Sequence, residues 1–288
     1  MESSRDARAT ANAWLCPTCQ REVSTAFCAH CGERRLVPRD LTLRGASERL
    51  LHALTSIDGR VLRTSWKLLR QPGSLSVAYL AGARKAYASP VSLFLIANVL
   101  FFAAQSLTGT NIFGASLDSH LHQQDWSSLA QTLLQRHLQG AHTTLEIYAP
   151  VFDRANVLHA KTLVILMVLP FALSLSLVFF RERLPTMCHV VFSLHFFAFL
   201  LLLFSASVLL VGANVALGGA SLQAPAVDNV LSALNFAACV AYLYLATGPV
   251  YAPGLIARAI KAVLLTVVVA AIVLGYRFVL LPITLALT

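Results

Sequence analysis

The sequence predicts an all-α integral membrane protein. About five transmembrane helices follow a small N-terminal four-cysteine zinc ribbon and a set of amphipathic juxtamembrane helices. Three observations carry that prediction. The chain of 288 residues is 57% apolar and 12% charged, with a mean hydropathy of +0.68, whereas a soluble domain keeps roughly a quarter of its residues charged. The charge is unevenly spread, since 14 of the 22 Lys and Arg and 7 of the 13 acids precede Pro90. Four of the six cysteines crowd between Cys16 and Cys31.

Taken in chain order, residues 1–13 are polar and predict a disordered tail, with no secretory signal ahead of the first apolar run. Residues 14–36 form the cysteine-rich unit. Residues 37–90 are the juxtamembrane region, opened by Pro38-Arg39-Asp40. From Leu43 to Leu69 apolar residues recur at helical spacing with basic residues between them. Gly59 divides this stretch into two helices, and Gln71-Pro72-Gly73 ends it. Ser74 to Ala88 predicts a further amphipathic helix.

Residues 91–288 carry the transmembrane bundle, with spans near 91–107, 162–180, 190–212, 230–250 and 262–285. A span needs about 20 residues to cross about 30 Å of hydrocarbon. Pro90 suits a first helical turn. The segment 108–161 predicts a long outer loop, with a helix over Ser127–Leu138 and Trp126, Tyr148 and Phe152 at the interface. Basic residues alternate between rich and poor connections. Arg181 and Arg183 follow the second span, 213–226 is uncharged, and Arg258 and Lys261 precede the fifth span. By the positive-inside rule the N-terminus is cytoplasmic and the C-terminus lies outside.

The strongest chemical signal is the C-x2-C-x8-C-x2-C pattern of Cys16, Cys19, Cys28 and Cys31. Each pair turns two thiolates toward one point, and the short spacer lets the turns face each other around a tetrahedral ion. Two disulfides or a redox dithiol are the competing readings. A cytosolic head disfavours disulfides, and a dithiol needs only one pair. Four cysteine ligands leave no open position, so the zinc predicted here is structural. Cys188 and Cys239 read as packing residues.

The head Cys16-Pro17-Thr18-Cys19, with Phe27, Cys28-Ala29-His30-Cys31 and Gly32-Glu33, is followed by Pro72-Gly73, Tyr79-Leu80-Ala81-Gly82-Ala83-Arg84 and Tyr87-Ala88-Ser89-Pro90 leading into Phe94. In this order the residues resemble a family of bacterial membrane proteins catalogued as domain of unknown function 3667. The similarity covers roughly residues 14–102. It implies a zinc ribbon, a multi-pass architecture and a bacterial inner-membrane location, and no activity. Read for themselves, Tyr79, Arg84, Lys85 and Tyr87 suit contact with lipid headgroups.

Within the spans, Arg277, His195, Asn235 and Asn98 are the polar candidates. Arg277 either snorkels to the outer interface or pairs inside the bundle with Asn235, His195, Tyr242 or Asp228. His195 suits an interhelical hydrogen bond. His120 and His122 would chelate a metal together only from a strand-like segment. The sequence holds no phosphate-binding glycine loop, nucleophile elbow or paired carboxylates in the spans, so no enzyme is predicted. Basic residues alternate with acids beside a membrane, which favours lipid over nucleic acid. The leading reading is a scaffold that recruits or senses a cytosolic partner through the head. The rival is a transporter or lipid-handling protein, which requires the four polar span residues to converge on one cavity.

Overall fold

The computed structural model describes residues 13–35, 59–219 and 224–288. The expected N-terminal tail, residue 13 aside, and the first juxtamembrane helix lie outside these residues. The head carries strands β1 (Trp14–Leu15) and β2 (Glu22–Val23), paired antiparallel with Trp14 opposite Val23. Its core is Cys16, Val23 and Cys28 with Trp14 packed on them.

Two short helices precede the bundle: α1 (Arg60–Arg70) and α2 (Ser74–Leu80). Helix α1 starts after Gly59 and places Lys67 and Arg70 in its last turn, where the helix dipole favours cations. The expected helix over Ser74–Ala88 is shorter in the structure. Gly82 (φ +93°) stops it, with the Ala83 N–H bonded to the Ala78 carbonyl and the Gly82 N–H to Tyr79. This pair of bonds is the Schellman arrangement, which needs a left-handed residue that glycine supplies without strain. Residues 81–89 are therefore a turn.

Five helical runs are long and apolar enough to cross a membrane. The first is α3 (Pro90–Thr108), whose start is set by Ser89: its hydroxyl accepts the Ser92 N–H, with Pro90 in the first turn. Two helices outside the spans follow, α4 (Leu117–His122) and α5 (Ser127–Ala141). The second run, Leu145–Val178, joins α6 (Leu145–Thr162) through a 3-10 turn to α7 (Val168–Val178). The last part of the expected outer loop is thus helical and continuous with the span. The remaining runs are α8 (Thr186–Ala216), α9 (Pro225–Tyr251) and α10 (Leu255–Leu287).

Helix α8 is the central one. Half of its most apolar stretch is buried, against 28–39% in the other four runs. Those four leave rows of Leu, Ile and Val exposed, such as Leu169, Leu173 and Leu177. Apolar surface on that scale suits hydrocarbon rather than water. The main core is aromatic: Phe171 packs on Phe196 and Phe197, and Tyr242 stacks on Phe199 at 3.8 Å. A second, smaller core joins α4, α5, α6 and the end of α10 through Leu117, Leu134, Phe152, Leu281 and Leu285.

Candidate metal centre and its seat on the helices

The four cysteines are built into two matching turns. The Cys16 N–H bonds to Arg21 and the Gln20 N–H to Cys16. In the second turn the Cys28 N–H bonds to Glu33 and the Gly32 N–H to Cys28. Both turns need a left-handed residue, Gln20 at φ +59° and Gly32 at φ +71°. The four Sγ atoms lie within 4.8 Å of one another, with Cys16–Cys31 at 3.4 Å and Cys19–Cys28 at 3.5 Å. A disulfide needs about 2.05 Å, so these are free thiols around one point. A tetrahedral ion at about 2.3 Å from each sulfur requires roughly 3.8 Å between sulfurs, which the observed separations bracket.

The thiols are not equivalent. Backbone N–H groups of Cys31 and then His30 hold the Cys28 thiol down to about 6, against the opposing effect of burial. Although the Glu33 N–H favours its thiolate, burial and the adjacent thiols push Cys31 up to about 12. One sulfur ready to ionise beside one that resists it is the situation a cation resolves, because it favours all the thiolates together.

The head is seated on the 81–89 turn through Glu33, which is buried. Its Oε2 accepts the Lys85 N–H at 2.9 Å and the Thr18 hydroxyl at 2.7 Å. One carboxylate oxygen therefore ties the first cysteine turn to the turn that leads into α3. The turn is held in its own right. Thr64 on α1 accepts the Ala88 N–H at 3.0 Å, and Lys67 donates to the Tyr87 hydroxyl at 2.5 Å. Arg84 lies over the Tyr79 ring at 4.8 Å. Tyr79, Arg84 and Tyr87 line a small pocket, together with Leu75, Ala83, Ala88 and His195.

Residues 58–102 match the model of the family described as "Protein of unknown function (DUF3667)". No curated protein and no solved structure matches the chain. The DUF3667 segment comprises α1, α2, the turn and the first part of α3, so the seat of the head falls inside it and the four cysteines fall outside it.

Helix α2 of the DUF3667 segment is wedged into the bundle. A Cβ on Gly73 would stand 2.4 Å from the Ala246 carbonyl oxygen of α9. Ser76 and His195 of α8 share a hydrogen bond at 2.9 Å, both buried. His195 is thus bound between helices. The other polar span residues go elsewhere. Asn235 accepts the Ser207 hydroxyl at 2.9 Å, and Asn98 donates to the Lys161 carbonyl at 3.0 Å. Arg277 makes no hydrogen bond or ion pair with the described residues Asn235, His195, Tyr242 or Asp228. The four do not meet in one cavity among the described residues.

One further expectation changes. Residues 117–122 are helical, so His120 and His122 face different sides and do not chelate together. His120 is fully buried, while His122 is exposed beside Asp118 at 2.9 Å. The bonds of Glu33, Ser76 and Arg258 have no counterpart in the sequence pattern. Pro249 in α9 lacks the N–H that would bind the Leu245 carbonyl. The Arg258 guanidinium donates to that carbonyl at 3.0 Å and to the Tyr244 carbonyl, across Gly248, where a Cβ would collide with it. A proline in a helix followed by an arginine nine residues later was the available signal.

Proposed function

We propose that the chain is a non-enzymatic multi-pass protein of the bacterial inner membrane whose cytosolic head holds structural zinc and recruits or senses a cytosolic protein. Cys16, Cys19, Cys28 and Cys31 would hold the ion. The metal would supply the folding energy that a head with a three-residue core lacks. The observation that carries the reading is the Glu33 bridge, because it makes the shape of the head and the conformation of the turn before α3 mutually dependent. The head leaves Leu15 and Phe27 exposed as contact surface. Four divergent polar residues in the spans give transport no common site to use.

The cytoplasmic assignment is supported by charge. Lys67, Lys85, Arg181, Arg258 and Lys261 belong to the connections that the alternation of basic residues places inside. On α1, Leu62, Trp66 and Leu69 form an exposed apolar stripe at helical spacing, with Arg63 and Arg70 beside it. In this reading the stripe lies in the bilayer surface and the arginines meet lipid phosphates.

A photo-crosslinker at Phe27 in the full chain, in native membranes, tests recruitment. The expected result is a discrete adduct that is lost when Cys16 and Cys28 are replaced by serine. An adduct pattern unchanged by that replacement, or none above the level seen with a crosslinker at Leu287, counts against the reading.

A further inference from the structure

The small core formed by α4, α5, α6 and the end of α10 contains two polar groups that the reading above does not use. His120 is fully buried against Phe152 and Trp126. The Trp126 indole N–H donates to its Nδ1 at 3.2 Å. An indole nitrogen only donates, so Nδ1 must accept, and the proton of the neutral ring sits on Nε2. That buried Nε2–H has no acceptor among the described residues. The buried Nε–H of Arg277 has none either. Trp126, bonded to His120, packs on Phe278, the residue after Arg277, which brings the two groups into one neighbourhood, and the guanidinium cannot discharge itself by losing a proton.

Two donors and a fixed positive charge thus share one neighbourhood without a carboxylate. Nearby acids are engaged elsewhere: Asp153 Oδ1 accepts the Leu117 N–H at 2.8 Å, and Asp118 faces His122. The walls are aromatic, with Trp126 edge-on to Phe278 at 5.6 Å. The depth is also informative. Arg258 and Arg277 are separated along α10 by about 28 Å at about 1.5 Å per residue, close to the thickness of the hydrocarbon layer. With Arg258 at the head's interface, Arg277 stands at the opposite one, among headgroups.

We propose that Arg277 and His120 bind a phosphate-type oxyanion at the interface opposite the head, supplied in the membrane by a phospholipid headgroup. The forked guanidinium matches tetrahedral oxyanion geometry, and the Nε2–H adds a directional bond from a water-poor wall. The inference is independent of the recruitment reading, because no residue of the head or the turn takes part.

The test uses the full chain in phosphate-free detergent. Retention of phosphatidylglycerol is compared by native mass spectrometry with that of a galactosyl lipid of the same acyl chains, and inorganic phosphate is titrated against thermal unfolding. The expected result is at least about tenfold preference for the phosphate lipid, lost in Arg277→Gln and reduced several-fold in His120→Phe, which keeps a ring and removes the donor. Inorganic phosphate that displaces the lipid identifies a headgroup in the site. Inorganic phosphate that stabilises without displacing lipid identifies a free anion as the occupant, with the same chemistry. Equal retention of the two lipids with no response to phosphate overturns the proposal, as does undiminished binding in Arg277→Gln. If Arg277→Gln does not fold, Arg277→Lys keeps the charge and loses the fork. Wild-type affinity in both Arg277→Lys and His120→Phe then overturns the proposal.

Discussion

The two ends of the bundle handle buried polarity in opposite ways. At the head's end, donors meet acceptors across long stretches of chain. Glu33 reaches Lys85 and Thr18, Thr64 reaches Ala88, Ser76 reaches His195, and Arg258 takes the carbonyl that Pro249 frees. At the other end, His120, His137 and Arg277 keep buried donors or nitrogens without partners among the described residues, although Asn156, Thr284 and Tyr276 are well bonded nearby. A densely bonded network fixes one arrangement of its elements, whereas a sparsely bonded one leaves interactions to be made by something that binds. The first end is built to hold a head in place. The second is built to receive.

The comparison breaks most severely at the cysteines. Replacing Cys16 and Cys28 by serine removes two of the four ligands of the proposed zinc site, and structural zinc sites contribute about 10 kcal/mol or more to folding. The expected outcome is loss of one equivalent of zinc by elemental analysis and rapid proteolysis within residues 14–35, with the helices intact. Next in size is Gly73→Ala. This position has φ +83° and no room for a Cβ against Ala246, so about 3 kcal/mol of stability is lost. Gly59→Ala is the control, because φ is −51° there and nothing lies within 4 Å, and its melting temperature should match wild type. Glu33→Ala comes third. Losing two bonds to a buried carboxylate costs about 2 kcal/mol of docking, read as roughly 30-fold faster amide exchange in the 81–89 turn with zinc content unchanged.

The features legible in the sequence were those set by neighbours along the chain. The number of long apolar runs, Pro90 in the first turn of the first of them, and the two cysteine turns each depend on a few consecutive residues. The sequence predicts a longer α2 because its apolar spacing continues to Ala88, while Gly82 stops the helix through backbone geometry that no periodicity reports. In the sequence the stretch 145–161 reads as loop because Glu146, Asp153, Arg154, His159 and Lys161 dilute its apolar character. It is helical because it packs against the end of α10, where Tyr148 reaches Thr288 and His159 reaches Thr284. Links such as Ser76 to His195 span 119 residues. Only the fold brings them together, which is why the seat of the head is invisible in the sequence while its four-cysteine cluster is not.

The smallest prediction sharpens the receiving end. Burial, and then the charge of Arg277, hold His120 down to about 4, from an ordinary value of 6.5. The unfolded chain therefore takes up a proton before the folded one does. Stability from this residue is complete above about pH 6.5 and is lost as pH falls toward about 4. The full shift corresponds to about 3 kcal/mol. Rearrangement of the surroundings around the charged ring brings the expected effect to the order of 1 kcal/mol. His120→Phe removes the titration and leaves the other histidines in place. The difference in unfolding free energy between wild type and this variant should therefore shift against wild type between pH 6.5 and 4, and stay level from pH 7 to 8. A flat difference across the acid range would mean that His120 is hydrated in the folded protein. The buried donor at the far end would then already be satisfied by water, and the contrast between the two ends would disappear.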